Sequence, residues 1–275
     1  MLISAGELKM QPMPFPLSMP RWVEELQSEG RYTFTRSEAE ARTGRSFVAV
    51  QSALRRLKQQ GRIASPRRGF YVIVPPEYRA VGSPPASWFI DELMGHLDQT
   101  YYVGLLSAAA FHGAAHQQPM VFQVVTAKPT RAMSAGRVSI EYFMSSKVDQ
   151  MPVERPQTET GTMRVATAEV TAFDLVRYPA GAGHLSNAAT VLSELAERVD
   201  AEALVVLAPL MRLPDVQRLG FLLDSVGESE LAEPLASWLR DRCPRTVLLR
   251  PGGPDSGVHS SRWHVKANED LEPEL

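Results

Sequence analysis

TFTRSEAEARTGRSFVAVQSALRRLKQQGRIASPRRGFYVIV, residues 33–74, reads as a helix, a short turn, a second helix and a β-hairpin. Thr35-Arg36-Ser37-Glu38 has the pattern of a capping box, in which the Thr35 hydroxyl accepts from the Glu38 N–H and the Glu38 carboxylate accepts from the Thr35 N–H. A helix therefore begins near Arg36, and Gly44 suits the left-handed residue that ends it. Ser46 can cap a second helix running to about Gln60, with Gly61 as its stop. At 100° per residue, Phe47, Val50, Leu54 and Leu57 fall in an arc roughly 80° wide, with Ala53 at its edge. The opposite side carries Val48, Ser52, Arg55, Arg56 and Gln59, with Gln51 on the flank. Arg62-Ile63-Ala64 and residues 69–74 read as two strands, and Ser65-Pro66-Arg67-Arg68 as the tip of a wing between them. This is the layout of a winged helix-turn-helix, whose second helix enters the major groove of DNA by its first turns.

The chemistry of that face fits the task. Arginine matches a guanine edge in bidentate fashion, glutamine an adenine edge, and valine can touch a thymine methyl. Arg45, Ser46, Val48, Gln51, Ser52 and Arg55 are the expected groove contacts. Arg36, Arg56, Arg62, Arg67 and Arg68 are the expected phosphate contacts, with the wing pair also able to reach the minor groove. Winged helices serve as protein adaptors too, and charge distinguishes the two uses. Residues 20–74 hold 11 Lys+Arg against 5 Asp+Glu, a balance of +6 in a chain whose total is −2. Lys9 and Glu7 cancel in the leader, so residues 75–275 carry −8. Such asymmetry favours a nucleic-acid footprint on the first domain.

A chain of 275 residues is too long for one winged helix, so a second domain with its own core is expected. Residues 1–19 read as a flexible leader without the basic start and cleavage pattern of a signal peptide, and Met19-Pro20-Arg21 reads as an alternative start. Residues 20–82 form the winged helix and its Pro/Gly-rich connector, and residues 83–275 a larger mixed α/β domain with a helical C-terminal half, an α+β chain overall. Its expected helices cover residues 88–97, 101–113 and 170–178, then several after Gly183. Its expected strands are 121–126, 137–144, 163–166 and 246–249, with 262–265 as a further candidate. The single cysteine, Cys243, excludes an internal disulfide and a multi-thiolate metal site and suits the cytoplasm. No apolar run approaches the ~20 residues of a membrane span.

Tyr101-Tyr102-Val103-Gly104-Leu105-Leu106-Ser107-Ala108-Ala109, followed by Phe111-His112-Gly113 and Gln117-Gln118-Pro119, resembles a string at the start of the second domain of AbiEi antitoxins of bacterial type IV toxin-antitoxin systems. Phe173-Asp174-Leu175-Val176, Arg218-Leu219-Gly220-Phe221-Leu222-Leu223, and Arg262-Trp263 with Asn268 and Glu272 are similar to further segments of that family. The resemblance runs from about Trp22 to Glu272. It implies a non-enzymatic antitoxin with no cofactor, whose winged helix represses its own operon by binding promoter inverted repeats. Its second domain would counter an AbiEii-like nucleotidyltransferase toxin, with or without a stable complex. Tyr101, Tyr102 and Trp263 occupy family-like positions and read either as core or as anchors of an antitoxin surface.

Other constellations are weak. His112 and His116 share a helix face but lack a third ligand, and Ser107, His112 and Asp174 are a set any long chain offers. No GxxxxGK[ST] or GxGxxG occurs, and residues 252–257 read as a turn-rich loop. Two further readings stand beside the antitoxin. One is a winged-helix regulator whose second domain senses a ligand or dimerises without a toxin partner. The other is an enzyme that the winged helix merely docks.

Overall fold

The computed structural model describes residues 17–114 and 121–272. The chain divides into two compact units, Met1–Ser83 and Pro84–Leu275.

In the first unit, α1 (Met19–Ser28) starts with Pro20 in its first turn and buries Met19, Trp22, Val23 and Leu26 along one stripe. Strand β1 (Thr33–Thr35) leads directly into α2 (Arg36–Thr43) through the expected capping box. The Thr35 hydroxyl accepts from the Glu38 N–H at 3.2 Å, and the Thr35 N–H donates to Glu38 Oε2 at 2.6 Å. Gly44 ends α2 at φ 62°, a conformation favoured by glycine. Ser46 then caps α3 (Phe47–Gln59), accepting from the Ala49 N–H at 3.5 Å. Val50, Ala53, Leu54 and Leu57 turn inward with Trp22, Leu26 and Phe34. Trp22 and Phe34 meet edge to face with ring centroids 5.0 Å apart, and Tyr71 stacks on Phe34 at 5.3 Å.

Strands β2 (Ile63–Arg67) and β3 (Phe70–Ile73) make the hairpin, and the sheet order is β1-β3-β2. Two expectations change here. Ser65, Pro66 and Arg67 belong to β2 rather than the wing tip, because the register slips between Ala64 and Arg67 and accommodates Pro66 in a bulge. The tip is the tight turn Arg68-Gly69, with Gly69 at φ 83°. β1 was not legible, since three residues carry no usable period.

In the second unit, α4 (Ile90–His96) precedes β4 (Tyr101–Val103), α5 (Leu105–Phe111), β5 (Val121–Thr126), β6 (Met133–Ala135) and β7 (Val138–Met144). Short strands follow: β8 (Val153–Glu154), β9 (Gln157–Thr158), β10 (Gly161–Thr162) and β11 (Val165–Ala166). Then come α6 (Ala168–Arg177), α7 (His184–Leu195), α8 (Ala201–Leu207), α9 (Leu213–Ser225) and α10 (Ser229–Arg240). The unit closes with β12 (Val247–Leu248), β13 (Val258–Ser260) and β14 (Val265–Ala267). The main sheet has the order β6-β7-β5-β4-β11-β8, with β5–β7 and β4–β11 parallel and β4–β5 antiparallel. α5 packs on β5, and α6 packs against α5, α7 and α9. β9 and β10 pair separately, and β12-β14-β13 forms a third sheet. The architecture is α+β, as expected.

The largest local correction concerns residues 101–113, read as one helix. Tyr101–Val103 is instead an inner strand, buried on both faces, and Gly104 separates it from α5. A strand covered on both sides has no alternation to betray it. At Gly104 a Cβ would lie 2.9 Å from Asp174 Oδ2 and 3.0 Å from Val125, so only glycine lets α6 approach this closely. The candidate strand at 262–265 is displaced to Val265–Ala267, and its partner Val258–Ser260 was not anticipated.

Candidate nucleic-acid interface

The capping of α2 and α3 sets the angle at which α3 leaves the body, and burial of Val50, Ala53, Leu54 and Leu57 fixes which side faces out. That side exposes Arg45, Ser46, Val48, Gln51, Ser52, Arg55 and Arg56, all of them residues expected at the interface. Val48 is 69% exposed. Among the described residues, Arg45, Arg55 and Arg56 have no ion-pair partner, whereas other arginines of the unit do. Three unneutralised guanidinium groups thus stand on one helix face and its approach, a layout suited to phosphates and base edges.

The remaining expected contacts divide. Arg62 is tied to Glu24 of α1 at 2.9 Å, which fastens the start of β2 to the first helix. Arg36 lies 3.7 Å from Glu40 and 4.9 Å above the Phe47 ring. Both therefore have intramolecular duties that the sequence did not disclose. On the wing, Arg67 is half-buried and Arg68 exposed. Phe47, assigned by its angle to the packing arc, is 49% exposed. It sits at the rim of that arc and in the first helical position, where no earlier turn of its own helix shelters it. Arg31 pairs with Glu38 at 2.9 Å. Burial pushes the Glu38 carboxyl up, but the Thr35 N–H, Arg31 and the Thr35 hydroxyl together hold it below its ordinary value.

The second unit presents a different picture. Tyr101, Tyr102 and Trp263 are 3%, 0% and 0% exposed, which corrects the idea that their side chains anchor an antitoxin surface. The Tyr101 hydroxyl donates to Asp91 at 2.8 Å and accepts from the Arg164 N–H at 3.2 Å. The Trp263 indole N–H donates to Asp224 at 2.6 Å, and its ring fills the space where a side chain at Gly220 would be. The Tyr102 hydroxyl donates to Asp174 Oδ1 at 3.3 Å, while Asp174 Oδ2 is buried without a hydrogen-bond partner. Burial pushes the Asp174 carboxyl up to about 7, against the pull of Tyr102 and Arg177. Burial and the Asp174 charge raise the Tyr102 hydroxyl well above its ordinary value.

No catalytic set assembles from the candidates. Ser107 accepts from the Gln123 N–H at 2.9 Å, and His112 Nε2 donates to the Ala166 carbonyl at 2.8 Å. His116 lies outside the described residues. Among the described residues, no three His, Cys, Asp or Glu side chains are grouped to hold a metal, and no helix is long and apolar enough to cross a membrane.

Comparison with known proteins matches two separate segments of the chain. A family described as "Transcriptional regulator, AbiEi antitoxin" matches residues 23–74, and one described as "AbiEi antitoxin C-terminal domain" matches residues 102–225. The chain belongs to the AbiEi antitoxin family. In this AbiEi chain the regulator match covers most of α1, the helix-turn-helix and the wing, and the antitoxin match runs from β4 to the end of α9. The chain therefore combines a DNA-binding regulator domain with an antitoxin domain. Its fold is similar to the crystal structure of the RV2827C protein from Mycobacterium tuberculosis, with a TM-score of 0.65 at 19% identity over 90% of this chain and 89% of that one. None of the curated proteins matches it.

Proposed function

We propose that this AbiEi chain represses its own operon by binding inverted repeats in its promoter, and neutralises a nucleotidyltransferase-type toxin encoded beside it. The observation that carries the first half is the exposed row on α3 and its approach, with Arg45, Arg55 and Arg56 unneutralised. Arg45, Ser46, Val48, Gln51, Ser52 and Arg55 read bases, and Arg56, Arg67 and Arg68 hold phosphates. Residues 20–82 are the DNA-binding part, and residues 83–275 the antitoxin part. The chain acts in the cytoplasm, needs no cofactor and catalyses nothing itself. The antitoxin half is supported by the family match over residues 102–225.

Growth rescue tests the antitoxin half. The neighbouring gene is expressed alone, with the full chain, and with residues 83–275. Toxicity relieved by both constructs supports an antitoxin part separate from the regulator. A toxic neighbour relieved by neither overturns the antitoxin reading for that pair and leaves a winged-helix regulator without a toxin partner. A promoter-binding assay tests the regulatory half independently.

A further inference from the structure

Phe47 and Val48 are consecutive at the start of α3, and both are exposed large apolar residues, at 49% and 69%. Apolar side chains of this size gain by leaving water, yet the fold leaves both exposed at the start of a helix that carries exposed arginines. Phe47 is nonetheless held in place. The Arg36 guanidinium lies 4.9 Å from its ring centroid, and Arg36 is in turn held 3.7 Å from Glu40 on the same helix. The chain Glu40–Arg36–Phe47 runs from α2 to the tip of α3 and fixes an apolar platform there.

We infer that Phe47 and Val48 form a thymine-methyl reader, positioned by Arg36, and that each operator half-site places a thymine against them. The inference rests on α3 being the groove helix, as proposed above. The occupant follows from charge and chemistry. The +6 balance of residues 20–74 and the exposed guanidinium groups of Arg45, two residues before the platform, and Arg55, two turns after it, draw DNA rather than an apolar protein face. In the major groove, the apolar group a base pair offers is the C5 methyl of thymine. Phe47, Gln51 and Arg55 follow at intervals of four along one flank of the helix. Four residues rise about 6 Å, close to two base-pair steps, so the thymine lies within about two base pairs of the base that Gln51 contacts. Arg36 is then a positioning residue, in place of the phosphate contact its sequence position suggested.

The test is a uracil scan of the promoter repeat by fluorescence anisotropy with the full chain. Each thymine is replaced in turn by deoxyuridine, which removes only the methyl. The expected result is one or two positions per half-site at which uracil weakens binding by roughly three- to fivefold, and at which the penalty vanishes for the Phe47→Ala/Val48→Ala double variant. Arg36→Ala should shrink the same penalty while leaving the salt dependence of binding unchanged; a lost phosphate contact would lower that slope by about one. Specific binding that tolerates uracil everywhere overturns the inference and leaves the repressor reading intact. So does a uracil penalty that persists undiminished in the double variant. Failure to prefer the repeat over random DNA overturns both.

Discussion

On α3 and its approach, Arg45, Arg55 and Arg56 face solvent with no ion-pair partner among the described residues, while along β4 Tyr101 and Tyr102 are buried and hydrogen-bonded. Both stretches stand out in the sequence, the first for its amphipathic charge and the second for its unusual string of aromatic and small residues. Their opposite fates separate two kinds of distinctiveness. An unpaired charge costs little at a wet surface, so it can be kept for a partner, whereas a buried polar group must be satisfied where it stands. The aromatic string is specific because α6 must approach β4 across Gly104, and specificity of that kind reports packing.

The contrast can be broken by substitution, beginning where the loss should be largest. Trp263→Ala empties a fully buried site beside Gly220 and should cost the second unit about 3–5 kcal/mol, seen as a lowered unfolding transition with promoter binding by the first unit retained. Equal loss of both properties would mean the two parts do not behave independently. Asp174→Asn sharpens the buried side. The Asp174 carboxyl rises from 3.8 to about 7 on folding, so its folded form holds the proton more tightly and its contribution falls as pH climbs through that window. The stability difference should therefore move in the asparagine variant's favour by roughly 2–4 kcal/mol between about pH 4 and pH 7 and level off above it, in chemical denaturation. A difference between variant and wild type that does not change with pH would contradict the buried-acid account.

On the exposed side, Arg55→Ala should cost about 1–3 kcal/mol on the specific repeat and blur base preference, while Arg68→Ala should weaken binding to all sequences and lower the salt slope by about one. Identical losses on specific and random DNA for both variants would erase the division between base readers and phosphate holders. The smallest effect belongs to Thr35→Ala, which removes half of the capping box and should lower the stability of the first unit by about 1 kcal/mol. Glu38 is depressed on folding, so the stabilisation it lends is present above its unfolded value and fades as acid brings the solution down through the folded one. Thr35→Ala should flatten that acid-side slope in a pH series of unfolding curves.

The legible parts of the fold were those written in local chemistry. Thr35, Glu38, Gly44 and Ser46 announce helix ends because capping is a matter of a few adjacent residues, and the exposed face of α3 follows from a period of 3.6. Illegible were features set by distant partners. Glu24 neutralises Arg62 across 38 positions, and nothing near either residue announces it. β4 hid inside an apparent helix because burial on both faces erases periodicity. Phe47 shows the limit of the angular rule, which places a residue around a helix but cannot say whether anything stands opposite it.

The slip between Ala64 and Arg67 has a consequence for chains crowded side by side. In the order β1-β3-β2, β2 is an outer strand whose free margin could recruit any passing extended segment. Pro66 leaves β2 one amide short, and the register shift between Ala64 and Arg67 breaks the strand's regularity as a template. β1, at the other margin, is only three residues long. Molecules of this chain at high concentration thus meet margins that offer little to pair with, which disfavours a continuous ribbon.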